Sequence, residues 1–327
     1  MGAELLAPID ALRSAVLRPW GTSLRPLLLS RERRVTLAAA FGITLAFAVA
    51  CGFPLWSLAL GPVLLGVPHL LADVRYLVVR PKLHLRPELI LFTGVPLALA
   101  AIEPRVELGV LAAIGAVCCA RATWLRKAPL LAVLAVAFAA AWKETFTAQL
   151  VFLHFHNVLA IGLWWFWRKR SPRAWLIPAM VLAGTLALFA GAAEPVLHLT
   201  NGWRGPAASF TEEIDVYAPL ASPVFAFRLL LAFVFLQAIH YLVWLRLVPE
   251  DDRTRAAPRT FTASFEALRS DFGIVALALT AAAALAIALW GVLDLAGARD
   301  GYLRLAGFHG YLELAVAALW LAEGKRC

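Results

Sequence analysis

Residues 55–79 read LWSLALGPVLLGVPHLLADVRYLVV, an almost continuous apolar stretch with His69, Asp73 and Arg75 in its second half. At a helical rise of about 1.5 Å per residue, a stretch of this length crosses the roughly 30 Å hydrocarbon layer of a bilayer. An ionisable side chain near mid-bilayer costs about 2.5–3.5 kcal/mol even on lenient insertion scales, so His69 and Asp73 point to function within a span. They lie four residues apart on one helix face, with Tyr76 three further on. Pro68 removes a backbone donor and is expected to kink the helix where neighbouring protein re-satisfies the backbone.

The rest of the chain repeats the apolar theme. Of its 327 residues 62% are hydrophobic and only 16% charged, with a mean hydropathy of +0.78. A soluble domain is nearer half apolar and a quarter charged, so the expected fold is an all-α polytopic membrane protein. Ten spans are expected, at 35–53, 55–79, 88–103, 106–121, 128–143, 146–167, 174–193, 224–248, 272–293 and 302–322. Basic clusters at 31–34, 75–86, 121–127, 168–173, 253–259 and 325–326 alternate with acidic or nearly neutral loops. With both termini cytoplasmic, ten spans satisfy the positive-inside rule throughout. The net charge of +9 is thus spread over short loops and is no nucleic-acid signature.

Residues 1–34 form a basic, amphipathic N-terminal segment, expected to lie on the cytoplasmic face. Six arginines precede the first long apolar run, unlike a cleavable signal, and Leu5, Leu6, Ile9, Leu12, Val16 and Leu17 fall at helical spacing. Residues 35–327 then form a single transmembrane domain. Its longest outward loop is 194–223, and the cytoplasmic loop 249–271 reads as charged and solvated. Cys51, Cys118, Cys119 and Cys327 contain no C-x-x-C spacing and read as small packing residues. Trp164, Trp165 and Trp167 before Arg168 form an interfacial belt, while His84 and His198 read as loop histidines.

The remaining histidines share a pattern. His69, the pair His154 and His156, His240 and His309 fall in the second, sixth, eighth and tenth spans, all running from outside inward. Each lies roughly 14–24 Å above the cytoplasmic end of its span, so four helices can bring imidazoles together. His309 and Glu313 repeat the four-residue spacing of His69 and Asp73, and Gln237, His240 and Tyr241 cluster within one turn. His154 and His156 point to nearly opposite faces. His154, with Asn157 on its face, is the expected inward member. The candidate metal ligands are therefore His69, His154, His156, His240 and His309, with Asp73, Glu313 and Tyr241 as candidate catalytic or orienting groups.

The string Gly66-Val67-Pro68-His69-x-x-x-Asp73 resembles the G-[LV]-P-H-x-x-x-D motif of the Brp/Blh family of membrane β-carotene 15,15′-dioxygenases. His154-Phe155 is similar to that family's second H-F element, and His240 and His309 follow in the expected order. The resemblance implies a polytopic fold and Fe(II) held by histidines from separate helices. It also implies O₂-dependent attack on a carotenoid.

Imidazole nests suit iron, zinc or copper rather than an all-oxygen ion. The expected function is a multi-histidine non-haem Fe(II) dioxygenase acting on a lipophilic, carotenoid-like or other unsaturated lipid, with O₂ as co-substrate and no nucleic-acid partner. A bacterial inner membrane is the expected location. Two alternatives remain open on these residues: a bis-histidine haem b electron-transfer protein, and a metal- or proton-coupled transporter. Zn is the alternative ion.

Overall fold

The computed structural model describes residues 6–168, 170, 172–254 and 257–324, and every regular element among them is a helix. Two short helices, α1 (Ala7–Leu17) and α2 (Gly21–Leu29), precede the long ones. Seven stretches are long and apolar enough to cross a membrane: α3 (Arg31–Gly52), α4 (Pro54–Val79), α7 (Trp124–Lys143), α8 (Thr145–Trp167), α12 (Pro223–Asp251), α13 (Phe261–Leu293), and α14 with α15 (Leu295–Glu323). Helices α14 (Leu295–Ala306) and α15 (Phe308–Glu323) are joined at Gly307.

All ten apolar segments expected from the sequence fall on helices, but not all are alike. The third and fourth become α5 (Pro87–Ile102) and α6 (Val106–Cys118), which are shorter than a full crossing requires. The 13 residues of α6 reach only about 20 Å. The seventh becomes α9 (Leu176–Phe189), which breaks by 77° into α10 (Glu194–Thr200). Gly191, at φ +93°, takes the backbone through that turn. Thr200 then donates its hydroxyl to the Gly52 carbonyl, fixing α10 against the end of α3.

Loop expectations also change. The outward loop 194–223 holds α10 and a capped helix, α11 (Phe210–Tyr217), whose Ser209 and Glu212 exchange side-chain and backbone bonds in a capping box. The segment 249–271 is not a solvated loop. Glu250 and Asp251 are buried, and the first part of α13 runs from Phe261 to a break at Gly273 (φ +79°). The cause is ionic: Glu250 pairs with Arg34 at 2.7 Å, Asp251 with Arg170 at 2.6 Å, and Asp271 with Arg75 at 2.7 Å. Asp10 of α1 accepts from the first backbone amides of α13, Phe261 N at 2.7 Å and Thr262 N at 3.0 Å. Leu5 and Cys327, and positions 169, 171, 255, 256, 325 and 326 of the basic clusters, lie outside the described residues.

The central layer that carries the site is α4, α8, α12 and α15. Helix α4 continues through Pro62 and Pro68, and its irregularity comes after Asp73, where residues 74–79 widen into a π-helical turn. Helix α12 does the same at 243–247, just after His240 and Tyr241. Such turns shift the register of the downstream side chains by about one residue and recur at functional sites.

Candidate metal centre

His69, His240 and His309 meet at the middle of this layer. Their ring centroids are 5.3 Å apart for His69 and His240, 4.8 Å for His69 and His309, and 5.5 Å for His240 and His309. His156 completes the cage at 5.3 Å from His240 and 5.4 Å from His309. His69 and His240 are each 1% exposed, and Asp73 and Glu313 are fully buried.

The backbone orients three of the four rings. His69 Nδ1 donates to Gly66 O at 2.6 Å, His156 Nδ1 to Leu153 O at 2.7 Å, and His309 Nδ1 to Ala306 O at 2.5 Å. A carbonyl oxygen can only accept, so each Nδ1 carries the proton and each Nε2 keeps its lone pair. The acceptor is in every case the carbonyl three residues earlier, on the same helix for His69 and His156 and across the Gly307 joint for His309. This pattern presets imidazoles to bind through Nε2.

Two glycines make room for the rings. A Cβ at Gly66 would lie 2.3 Å from the Tyr302 ring, which covers α4 there and places its hydroxyl 3.3 Å from His69 Nδ1. A Cβ at Gly310 would lie 3.2 Å from the Cβ of His156, so the glycine after His309 lets α8 and α15 approach.

The carboxylates stand one on each side. Asp73 Oδ2 is 3.8 Å from His69 Nε2, and Glu313 Oε1 is 3.6 Å from His240 Nε2. Glu313 thus reaches a histidine of a neighbouring helix, and Trp244 fixes it by donating its indole N–H at 2.6 Å. Tyr241 packs its ring 4.8 Å from that of His69.

The polar groups here are conspicuously unsatisfied. Both Asp73 oxygens, Glu313 Oε2, His69 Nε2 and both His240 nitrogens are buried without a hydrogen-bond partner. Two carboxylates in so dry a place are costly unless a cation compensates them, and among the described residues no lysine or arginine does. A divalent ion would balance both charges. One donor atom each from His69, Asp73, His240 and His309 lie within 4.8 Å of one another. Ligands at about 2.0–2.1 Å around one ion are about 3–4 Å apart, so the set closes if its most separated donors draw together by about an ångström. Mixed imidazole and carboxylate donors fit a first-row transition ion.

His154 is the correction. Its Nε2 lies 2.9 Å from Tyr217 O and its ring stands edge-on to Phe233, away from the other histidines. His156 is the inward member instead, because α8 turns that face toward Gly310. Asn157 is fully buried beside it and lines the same cavity. His84 is exposed, and His198 packs against Trp203 outside the centre. Trp244 and Tyr302 are not among the residues that the sequence singles out. Trp244 is four residues after His240, and helical spacing alone would have placed it on that face. Tyr302 carries no such signal.

A cavity of about 410 Å³ opens beside the cage, walled by His69, His156, His240, His309, Tyr241 and Gln237 among others. No known protein-family profile, curated protein or solved structure matches this chain at a significant level.

Proposed function

We propose that this chain is a membrane-embedded, multi-histidine non-haem iron oxygenase acting on a lipophilic, unsaturated substrate. The observation that carries this reading is the convergence of His69, His156, His240 and His309, three of them with Nδ1 held by the preceding backbone, between two buried carboxylates that no lysine or arginine among the described residues neutralises. His69, His240, His309 and Asp73 would hold the ion, with His156 closing the fourth imidazole side. Bound Fe(II) would supply the redox chemistry that lets O₂ react with a carbon–carbon double bond. The chain's own groups do the rest. Glu313, held by Trp244, orients His240. Tyr302 and Gly66 fix His69, and the apolar walls exclude water.

The resemblance to the Brp/Blh enzymes supports the same reading. Gly66 supplies both the carbonyl that orients His69 and the space for Tyr302. The ten-span arrangement with cytoplasmic termini, in a bacterial inner membrane, belongs to this proposal too. In its support, the arginine–carboxylate pairs of Arg34, Arg75, Arg80 and Arg170 form one network around residues 250–252 and 271.

Metal analysis and an absorption spectrum of the detergent-purified protein test the reading. About one iron per chain without a Soret band is the expected result, lost in His69→Ala and His309→Ala. A Soret band would replace it by haem b, stoichiometric zinc would remove the oxygen chemistry, and a metal-free, unresponsive protein would end it.

A further inference from the structure

The cavity beside the cage is not lined like a site for a pure hydrocarbon. Asn157 is fully buried, and neither its amide nitrogen nor its oxygen has a hydrogen-bond partner. It faces the cavity from α8, next to the cage residue His156, and Gln237 faces the same space from α12, one turn before His240. A buried amide with both ends unsatisfied, where lipid surrounds the helices, calls for a polar group brought in from outside.

A second cavity adjoins the first. It is a groove of about 690 Å³ on the lipid-facing side of α8, α9 and α12, lined almost wholly by apolar side chains such as Val151, Phe155, Phe189 and Leu236. Leu150, Tyr217 and Phe233 line both spaces and form the partition between them. The rings of Tyr217 and Phe233 lie 4.4 Å apart at a tilt of 37°. His154 faces the groove, and its Nε2–H donates to the Tyr217 carbonyl. The residue pair on α8 therefore divides its work, His156 to the ion and His154 to the partition.

We infer that the substrate is an oxygen-bearing long-chain lipid, its hydroxyl or carbonyl held by Asn157 and Gln237 beside the cage and its apolar chain passing Leu150, Tyr217 and Phe233 into the groove. The inference rests on the reading of the central cavity as a substrate site. The amide N–H groups donate to the substrate oxygen, and the amide oxygens accept from a hydroxyl. The two cavity volumes both fall in the range of small-molecule sites. Together they give a bent path that a flexible chain can follow.

The test is equilibrium binding to the full-length chain in detergent, using tritiated farnesol displaced either by farnesol or by the hydrocarbon farnesene. Farnesol should compete at least about tenfold better, the worth of one or more hydrogen bonds that the hydrocarbon leaves unmade. Asn157→Leu should erase that preference while iron content stays unchanged. If Asn157→Leu loses its metal through misfolding, Gln237→Leu gives the same readout. Leu150→Trp, which fills the passage, should abolish farnesol binding yet still take up the five-carbon 3-methyl-2-buten-1-ol. Equal competition by farnesol and farnesene in the unaltered protein overturns the inference, as does a preference that survives in both amide variants. Iron content is read separately, so loss of the oxygenase reading and loss of this one are distinguishable.

Discussion

Trp244 and His240 both reach the same atom: Glu313 Oε1 accepts the indole N–H at 2.6 Å and lies 3.6 Å from His240 Nε2. The indole comes from the π-helical turn of α12, one turn beyond the histidine, and the carboxylate comes from α15. Removing such an outer partner commonly costs 10–100-fold in metal affinity. Trp244→Phe keeps the packing and loses the donor. Iron retained against a graded chelator should fall by about that factor, with the helical content by circular dichroism unchanged.

The two histidines of α8 separate cleanly. His156→Ala should lose most of the bound ion, whereas His154→Ala should keep it, because His154 bonds to Tyr217 O and not to the cage. Metal content of the two purified variants decides the matter. The reverse result would restore the expectation made from sequence.

That expectation shows where reading the chain reached its limit. The ten apolar runs were legible because lipid imposes one rule on every exposed turn, and each run is helical in the structure. That His69, His240 and His309 come together agrees with the similar distance of each from the basic loop that follows it. The choice between His154 and His156 has no such signal, because both faces of α8 are apolar and Gly310, which admits His156, is more than a hundred residues away. Helix α13 breaks at Gly273 (φ +79°), and the span expected at 272–293 coincides with its second part, while its first part carries no long apolar run. Its first turns at Phe261–Asp271 are polar, and what makes them helical is the Thr260 cap, Asp10 from α1 and the pairing of Asp271 with Arg75. Contacts between distant segments leave no periodicity in either one.

Gly66 tests the packing over the first motif. Gly66→Ala would drive its Cβ into Tyr302, and overpacking of this kind typically costs about 1–3 kcal/mol. The melting temperature in detergent should drop, and the Gly66→Ala/Tyr302→Ala double variant should recover part of the loss. A Gly66→Ala protein as stable as the parent would remove Tyr302 from its place above α4.

Glu250 gathers Arg34, Arg246 and Arg253 at the basic end of α12. Glu250→Leu leaves the buried Arg34 guanidinium short of its carboxylate, a change that costs about 3–5 kcal/mol for a buried pair. Its Tm should fall, and pairing it with Arg34→Met should return much of the difference. Equal Tm values for the parent and Glu250→Leu would show that this network contributes nothing.

Chelation should destabilise the whole bundle and not the centre alone, since an ion bound only by the native state adds to its stability. Exhaustive treatment with a membrane-compatible iron chelator should lower the Tm by several degrees, and Fe(II) should restore it. The His69→Ala variant should show no such response.

The bonds from Nδ1 to the carbonyl three residues back have a mechanical meaning. Each of these three rings is fastened to the backbone just before it rather than to its neighbours, so the chain carries the imidazoles as rigid outriggers. An ion joining those rings would act as a rivet between α4, α8, α12 and α15. A squeeze from the surrounding lipid that slid one helix by an ångström would then be felt at such an ion, and its removal would loosen four helices at once.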